Sequence, residues 1–254
     1  MNRIAIGPGG QFSLGGENFV VDMSRKKDRR PSTSEAFTIV KNEAYLRFYE
    51  LLASTFSPRA ILELGIFQGG SYVLLDKLFN PRRMSAVEIS PGPVASLLRY
   101  VAGMEDRFVH FSTSQSDRKT LEQIVRDELA DELDLVVDDA SHTYEQTKAS
   151  FEVLFPLLRP GGIYVIEDWS WAHHPAYQSA DAPFAKRYAL SNLLFEQIML
   201  MGSTSLIAEI RVWKFLYLIR KAEAAFAGFG VGQNDENGSI FDQILSRGRE
   251  WSLI

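Results

Sequence analysis

The sequence predicts an α/β fold with a doubly wound, mostly parallel sheet. From residue 60 onward, five short apolar runs alternate with four segments of helical periodicity. A continuous apolar run is typical of a strand that is buried on both faces. Strands that alternate with helices form parallel sheets with right-handed crossovers and helices on both faces. Two of the runs also end abruptly in paired acids, and ligands of open α/β sheets bind at the carboxyl ends of the strands.

The composition limits the classes of protein to which the chain can belong. It has 254 residues, 46% of them hydrophobic, which suits one large α/β domain or two small ones. The net charge of −5 gives no reason to expect nucleic acid as a partner. The absence of cysteine excludes disulfides, thiolate catalysis and cysteine-based zinc sites. No stretch approaches the roughly 20 apolar residues of a membrane span, and no signal-peptide core follows Met1, so we expect a cytoplasmic protein with no membrane partner.

An N-terminal arm is predicted for residues 1–35, where glycine turns separate short apolar pieces. The arm contains the basic run Arg25-Lys26-Lys27-Asp28-Arg29-Arg30, followed by a Pro-Ser-Thr-Ser stretch. We favour a solvated arm that lies over the domain or over a partner subunit, because charge runs are usually solvated. The alternative is a lid that holds an anion above the functional site.

The elements of the main domain follow in order. An amphipathic helix is predicted for residues 37–55, with its apolar side toward the core. The five strands are predicted at 60–65, 84–89, 107–111, 135–137 and 163–166. The first three helices are predicted at 71–79, at 93–101 and in a segment ending near Leu129. Thr143-x-x-Gln146 is a capping-box pattern that starts the fourth helix, and Pro160-Gly161-Gly162 ends it after Leu158.

The pattern changes after Trp169. A helix is predicted for residues 184–201, and residues 206–219 hold two strand-like runs broken near Trp213, which would add an antiparallel hairpin at the edge of the sheet. We therefore divide the chain into the arm (1–35), a main domain (36–222) and a C-terminal extension (223–254), to which no chemistry can be assigned.

A glycine motif lies where the first strand turns into a helix. In Glu63-x-Gly65-x-x-x-Gly69, the glycines allow a ligand to approach the backbone, and the start of the helix favours negative charge. The spacing differs from Gly-x-Gly-x-x-Gly and from the phosphate-binding loop of ATPases, which disfavours dinucleotides and ATP. The alternative is a tight turn whose glycines serve packing alone.

An acid ends the second strand, 23 residues after Gly65. Glu88 stands where an acid typically accepts hydrogen bonds from a ribose diol. The polar turn Ser114-Gln115-x-Asp117 follows the third strand and offers hydrogen bonds to an adenine ring. The glycine motif and the acid together favour a nucleoside pocket.

Paired acids end the last two strands of the alternating series. Asp138-Asp139 and Glu167-Asp168 should meet at one edge of the sheet, together with His142. Converging carboxylates are costly unless a cation or a substrate compensates them. The alternative is that the acids merely cap strands and helices.

These stretches resemble a known family. ILELGIFQGGS, AVEIS and DLVVDDASH…LRPGGIYVIEDW are similar to the class I S-adenosylmethionine-dependent methyltransferases, which have a Rossmann-like fold. Within that class, the doubled acids and the Asp-x-x-His step resemble the metal-dependent sugar O-methyltransferases that act on macrolide and rhamnosyl sugars, a group that includes cephalosporin hydroxylase-like proteins. The finer resemblance is to an actinobacterial enzyme that methylates a rhamnoside or mannoside glycan. The resemblance covers roughly residues 36–220.

The resemblance implies a role for each matching residue. It places S-adenosylmethionine against Glu63, Gly65, Gly69, Ser71, Glu88, Ser114, Gln115 and Asp138. It assigns a metal to Asp139, Glu167 and Asp168, and catalysis to His142 as the base together with Asp139. An all-oxygen ligand set suits Mg²⁺ or Ca²⁺ better than zinc or copper, and Mg²⁺ is the expected ion.

The substrate and the activity allow three hypotheses, of which a sugar O-methyltransferase is the first and a phenolic methyltransferase the second. Catechol- and caffeoyl-type methyltransferases share the layout but use a lysine base and an Asp-Asn pair, so His142 and Glu167-Asp168 favour a sugar or glycoside acceptor. A binding protein without catalysis on the same fold is the third hypothesis.

The loop after the last parallel strand has two possible roles: its aromatic side chains stack against a sugar ring, or the loop forms a packed lid. Its relevant residues are Trp169, Trp171, His173, His174, Pro175 and Tyr177. We expect the protein to be a homo-oligomer.

Overall fold

The computed structural model describes residues 4–223 and residues 240 and 241. The strands in this part of the chain are β1 (Gln11–Leu14), β2 (Glu17–Val21), β3 (Phe37–Ile39), β4 (Ala60–Leu64), β5 (Arg83–Glu88), β6 (Arg107–Phe111), β7 (Leu133–Asp138), β8 (Ile163–Glu167), β9 (Ile207–Val212) and β10 (Leu216–Lys221). The helices are α1 (Glu43–Thr55), α2 (Gly70–Phe79), α3 (Ala95–Val101), α4 (Arg118–Gln123), α5 (Tyr144–Leu157) and α6 (Ser191–Ser203).

Seven strands form the central sheet in the order β6-β5-β4-β7-β8-β10-β9. The first five of these are parallel, whereas β10 runs antiparallel to both β8 and β9. The predicted doubly wound, mostly parallel sheet with an antiparallel C-terminal hairpin is therefore confirmed. The chain winds outward from β4 to β6 and then returns to place β7 on the other side of β4. The carboxyl ends of β4 and β7 thus flank the topological switch point, where ligands of such sheets bind.

Two separate apolar layers cover the faces of the sheet. Alternate residues of β4 point to opposite faces: Ile61 packs with residues of α1, α2 and α3, whereas Leu62 packs with residues of α4, α5 and α6. Burial on both faces explains why the parallel strands read as unbroken apolar runs. In the part of the chain that the structure describes, no helix is both long and apolar enough to cross a membrane.

The N-terminal residues form a small sheet instead of a simple solvated arm. Strands β1 and β2 make an antiparallel hairpin, and β2 pairs in parallel with β3. Three aromatic rings, from Phe12, Phe19 and Phe37, are buried in this sheet and join the core beside α2. Backbone pairing thus crosses the predicted boundary at residue 35, because the buried rings of both segments share one apolar layer.

Some predicted boundaries differ from the observed ones. The first helix begins at Glu43 and not at residue 37, because the Asn42 side chain accepts from the backbone N–H groups of Ala44 and Tyr45 and caps it there. Helix α4 ends at Gln123, and residues 124–128 continue it as a π-helical turn. The helix predicted at 184–201 begins only at Ser191. Most of the predicted C-terminal extension lies outside the described residues.

We predict that Gly70→Ala destabilises the protein by about 1–3 kcal/mol, since overpacking costs this much. A Cβ at Gly70 would lie 2.2 Å from the backbone oxygen of Thr38, so α2 and β3 would have to move apart. Gly92→Ala is the control, because a Cβ there meets nothing within 4 Å. Urea unfolding measures both variants, and equal midpoints would refute close docking of the small sheet on α2.

Candidate active site

A cavity of about 900 Å³ opens at the carboxyl ends of the parallel strands. The loops after β4, β5, β6, β7 and β8 all contribute to its lining, as the winding of the sheet requires. The predicted site residues that line it are Gly65, Glu88, Ser114, Gln115, Asp139, His142 and Asp168. Two groups that were predicted separately, the nucleoside residues and the acid–histidine group, therefore share one cavity.

Glu88 is fixed as an ionised acceptor on one side of the cavity. Its Oε2 accepts from the backbone N–H groups of Ile66 and Phe67, and its Oε1 accepts from that of Ser90. Burial by itself would raise the pKa of this carboxyl, but the hydrogen bonds from Ser90, Phe67 and Ile66 outweigh burial and lower it. A carboxylate held in this way suits a ribose diol.

Packing explains both glycines of the motif. Gly65 has φ +82°, and a Cβ there would lie 2.6 Å from the Cα of Ala140, so the loops after β4 and β7 touch across the switch point. Gly69 precedes α2 with φ +79°, and a Cβ there would lie 3.0 Å from the side chain of Leu97. Gly65 lines the main cavity, whereas Gly69 does not.

Glu63 lies in the strand that leads into this loop, and it is fully buried. Neither carboxylate oxygen makes a hydrogen bond of normal geometry with a described residue, although the nearby Ser71 hydroxyl lowers the pKa of Glu63. Burial raises the pKa of Glu63 to about 8, against the opposing charge of Lys41. Such a group is costly in the protein alone and is compensated if a cationic group of a ligand lies beside it. Ser71 lines a second, small cavity of about 50 Å³, which Lys41, Gly65 and Asp139 also line.

Asp138 is placed differently from the expectation that it contacts a cofactor. Its carboxylate is buried and accepts hydrogen bonds from Gln115 Nε2, Ser150 Oγ and Tyr164 OH. The Oε1 of Gln115 accepts in turn from the backbone N–H of Ser141. The amide of Gln115 therefore ties the loop after β6 to the loop after β7, and Asp138 is an internal anchor of that tie.

Asp139, His142 and Asp168 form one compact group. One ligand atom of each lies within 4.8 Å of the others. The Nε2 of His142 is 3.9 Å from Asp139 Oδ1 and 3.9 Å from Asp168 Oδ2. The second oxygen of each acid is held by the protein, because Lys41 Nζ donates to Asp139 Oδ2 at 2.8 Å and Tyr45 OH donates to Asp168 Oδ1. Two carboxylate oxygens and an imidazole nitrogen thus face one another in the cavity.

Glu167, the third predicted metal ligand, does not join this group. Its Oε2 accepts from Lys41 Nζ at 2.6 Å, its Oε1 accepts from Tyr49 OH, and the side chain is only 2% exposed. Lys41 and Tyr49 thus engage both oxygens of Glu167 in the interior, whereas Asp168 lines the cavity and Glu167 does not. The structure therefore replaces Glu167 by His142 in the cluster of possible ligands.

Lys41 is the site residue that the sequence analysis missed. It follows β3, is 1% exposed, and joins Asp139 to Glu167 across two strand ends. Burial would lower the pKa of this ammonium, but the charges of Asp139 and Glu167 outweigh it and raise the pKa. In the sequence, Lys41 is a single lysine next to an apolar run. Because the sequence predicted a helix over residues 37–55, it gave no reason to place this lysine in the site.

The three acids at the ends of β7 and β8 carry more negative charge than the neighbouring Lys41 offsets. Asp139, Glu167 and Asp168 bring three charges when ionised and Lys41 offsets one, which leaves 3 − 1 = 2. Burial, followed by the charge of Asp139, raises the pKa of both Asp168 and Glu167 above the usual range. A group of acids with this excess binds either protons or a cation. A divalent cation would match the excess.

The aromatic loop covers the histidine. The ring of Trp171 lies 4.4 Å from that of His142, and Tyr177 stacks on Trp171 at 5.8 Å. Both aromatic residues line the cavity. Trp169 instead donates from its indole N–H to the backbone oxygen of Trp213. The loop is thus partly a packed cover and partly an aromatic wall of the cavity.

A family profile matches the part of the chain that builds most of the cavity. Residues 62–169 match the sequence profile of a family described as a methyltransferase domain. The matched span runs from β4 to the residue after Asp168 and contains most of the cavity lining. This match agrees, over residues 62–169, with the methyltransferase resemblance seen in the motifs.

Individual relatives are also named as methyltransferases. The chain is 30% identical over 145 residues to an 8-demethyl-8-alpha-L-rhamnosyl tetracenomycin-C 2'-O-methyltransferase of Streptomyces olivaceus, covering 54% of this chain and 36% of the relative. It is 33% identical over 130 residues to a 3'-O-methyltransferase of the same organism that is named for the 2-methoxy-rhamnosyl tetracenomycin, covering 48% and 31%. The chain thus matches about a third of the length of these curated relatives.

A solved structure is similar over more of the chain. The methyltransferase MycE from the mycinamycin biosynthetic pathway, in complex with Mg and SAH, superimposes with a TM-score of 0.51 at 26% identity. The match covers 77% of this chain and 50% of MycE.

We predict that Lys41→Met lowers the free energy of unfolding by roughly 3–5 kcal/mol, because it leaves buried carboxylates without their counter-charge. Urea unfolding followed by circular dichroism measures the loss. Lys27→Met, at an exposed cation, is the control and should have little effect. The double variant Lys41→Met/Glu167→Met should regain much of the stability, since it removes both members of the buried pair. A wild-type midpoint for Lys41→Met would show that this lysine is not a structural counter-ion.

Proposed function

We propose that the protein is an S-adenosylmethionine-dependent O-methyltransferase that methylates a hydroxyl group of a sugar or glycoside with the help of Mg²⁺. The observation that carries the proposal is the single cavity that joins an anchored ribose-type acid, Glu88, to the group Asp139, His142 and Asp168. A methyl donor bound at the first part and a hydroxyl bound at the second would lie within the same cavity.

The cofactor part of the cavity suits S-adenosylmethionine. Glu88 offers an ionised carboxylate for a ribose diol, and Ser114 lines the cavity beyond it. The buried carboxylate of Glu63 lines neither cavity, so its influence on the cationic amino group of the methionine portion would pass through Ser71, which lines the small cavity beside Gly65. When bound, S-adenosylmethionine supplies a methyl group made electrophilic by the sulfonium.

The acid group suits a hard divalent cation. Asp139 and Asp168 would hold the ion, and carboxylate oxygens are what Mg²⁺ prefers. Tyr45 and Lys41 orient these acids from behind, as outer partners of metal ligands commonly do. A bound ion would lower the pKa of an acceptor hydroxyl and orient a sugar diol. The relatives support the acceptor class, since both are named for rhamnosyl substrates.

His142 is the proposed general base. Methyl transfer forms a carbon–oxygen bond and breaks the carbon–sulfur bond, and the hydroxyl proton has to leave at the same time. The Nε2 of His142 lies between the two acids at 3.9 Å from each, where it can accept that proton, and histidine is the usual base near neutral pH. Packing against Trp171 restricts the orientation of the ring.

The homo-oligomeric state and the cytoplasmic location stay predictions.

Removal of metal tests the proposal. Chelator-treated protein should lose at least tenfold of its methyl transfer to a panel of glycosides and should recover when Mg²⁺ is restored. Asp168→Asn should lose Mg²⁺ binding in calorimetry but keep S-adenosylmethionine binding, whereas Asp181→Asn, at an exposed acid, serves as the control. Full activity without divalent metal would leave these acids a structural role.

Other outcomes of the same assays decide the alternatives. Exclusive turnover of catechols would support a phenolic methyltransferase. Binding of S-adenosylmethionine without transfer to any acceptor would support a non-catalytic binding protein, and no binding at all would refute the cofactor.

We predict that His142→Ala lowers turnover by about 10²–10⁴-fold, since it removes the proton acceptor from the transition state. Affinities for S-adenosylmethionine and Mg²⁺, measured by calorimetry, should stay within about twofold. His174→Ala, at an exposed histidine, should keep wild-type turnover. A large loss of Mg²⁺ affinity in His142→Ala would instead assign the imidazole to the metal.

A further inference from the structure

The basic run of the N-terminal segment lies at the mouth of the main cavity. Arg25, Lys26 and Arg29 all line the cavity, next to Met23. In the same lining, the acids are the proposed ribose and metal residues Glu88, Asp139 and Asp168. Positive charge therefore lies at the entrance in a protein whose net charge is −5.

The protein holds this basic segment, residues 25–30, in place at both ends. Before it, the buried carboxylate of Asp22 accepts from the backbone N–H groups of Ser24 and Arg30, and these hydrogen bonds keep the pKa of Asp22 well below its usual range. After it, the backbone N–H and the hydroxyl of Ser32 both donate to oxygens of Gln68, in the loop between β4 and α2. The segment is thus a built part of the site and not a free arm.

The three cations differ in how they are engaged. Arg29 is half-buried and donates to the backbone oxygen of Ser24. Its guanidinium lies 5.5 Å above the ring of Phe67, in the loop between β4 and α2. Arg25 is 81% exposed and pairs with an exposed Asp28 at 3.3 Å, a type of pair that contributes little. Lys26 makes no ion pair with any described residue. Arg29 therefore serves to dock the segment, while Lys26 and the exposed, weakly paired Arg25 can meet a ligand.

None of the acids of the cavity forms an ion pair with Arg25 or Lys26, and each of these acids hydrogen-bonds to other residues. Glu88 accepts three backbone N–H groups, Asp139 accepts from Lys41, and Asp168 accepts from Tyr45. Two exposed cations side by side at an entrance attract anions and suit a group with more than one negative charge.

We propose that the acceptor is an anionic sugar, with a phosphate group that Arg25 and Lys26 hold at the mouth while a hydroxyl of the same molecule reaches His142. This inference rests on the proposed function. It adds a class of substrate, phosphorylated sugars and glycosides, to that function. A carboxylate on the sugar shares the anionic chemistry but carries a single charge, and it is the second source that the test separates.

Calorimetric titration of pyrophosphate into the full-length protein tests the anion site independently of methyl transfer. The protein is loaded with S-adenosylhomocysteine to fill the cofactor part, and divalent metal is removed so that it cannot bind the probe. Wild type should bind pyrophosphate, and Arg25→Gln/Lys26→Gln should bind it at least tenfold more weakly. Lys27→Gln is the matched control, since Lys27 belongs to the same run but does not line the cavity.

A kinetic arm identifies the source of the anion. The KM for a mannose or rhamnose phosphate should rise at least tenfold in Arg25→Gln/Lys26→Gln, while the KM values for the neutral sugar and for S-adenosylmethionine stay unchanged. A tenfold rise for a uronic acid but not for a sugar phosphate would replace phosphate by carboxylate and overturn the proposal in its stated form.

Three results would overturn the inference: no binding of pyrophosphate to wild type, an equal loss in Lys27→Gln, or binding only when S-adenosylhomocysteine is absent. The last result would assign the cations to the carboxylate of the cofactor. Failure of the proposed function looks different, because pyrophosphate would still bind although no sugar is methylated.

Discussion

The buried ammonium of Lys41 is the interaction on which the site depends. It reaches the ends of β7 and β8 from the segment before α1, and its partners Asp139 and Glu167 are 98 and 126 residues away in the chain. In a low-dielectric interior, carboxylates so close together repel one another unless a cation lies between them. Lys41 allows the acids to stay together and leaves one oxygen of Asp139 toward the cavity. Both oxygens of Glu167 are engaged inside the protein, whereas Asp168 keeps one oxygen toward the cavity.

Backbone geometry completes the cluster that the counter-ion makes possible. His142 and Asp168 both have positive φ values, 55° and 56°, which is unfavourable for residues other than glycine. Such conformations persist only where the surroundings enforce them, and they concentrate at functional sites. Asp168 is fixed by its N–H bond to the backbone oxygen of Phe215 at 2.6 Å, and His142 by its contact with Trp171. The antiparallel hairpin therefore supports the site, although none of its own side chains supplies a ligand to the cluster.

The N-terminal sheet shows how a segment with weak local signals becomes part of the site. Strands β2 and β3 pair in parallel, and the residues between them must cross from one end of the strands to the other. That crossing carries the basic segment 25–30 over the loop between β4 and α2, where Ser32 bonds to Gln68. Charge runs are usually solvated, and nothing in the spacing of Arg25 and Lys26 shows what lies opposite them.

The sequence by itself determined the doubly wound sheet, its antiparallel hairpin and the edge at which the site lies, because apolar runs buried on both faces and acids at strand ends are local patterns. It also pointed to Glu88, Asp139, His142 and Asp168, since each follows directly from a strand end. Only the tertiary structure showed that Asp138 is tied to Gln115, that Glu167 pairs with Lys41, and that the basic segment reaches the cavity mouth. These outcomes depend on which distant side chain meets a buried charge, and the free energy of that pairing is set by three-dimensional proximity and not by local sequence.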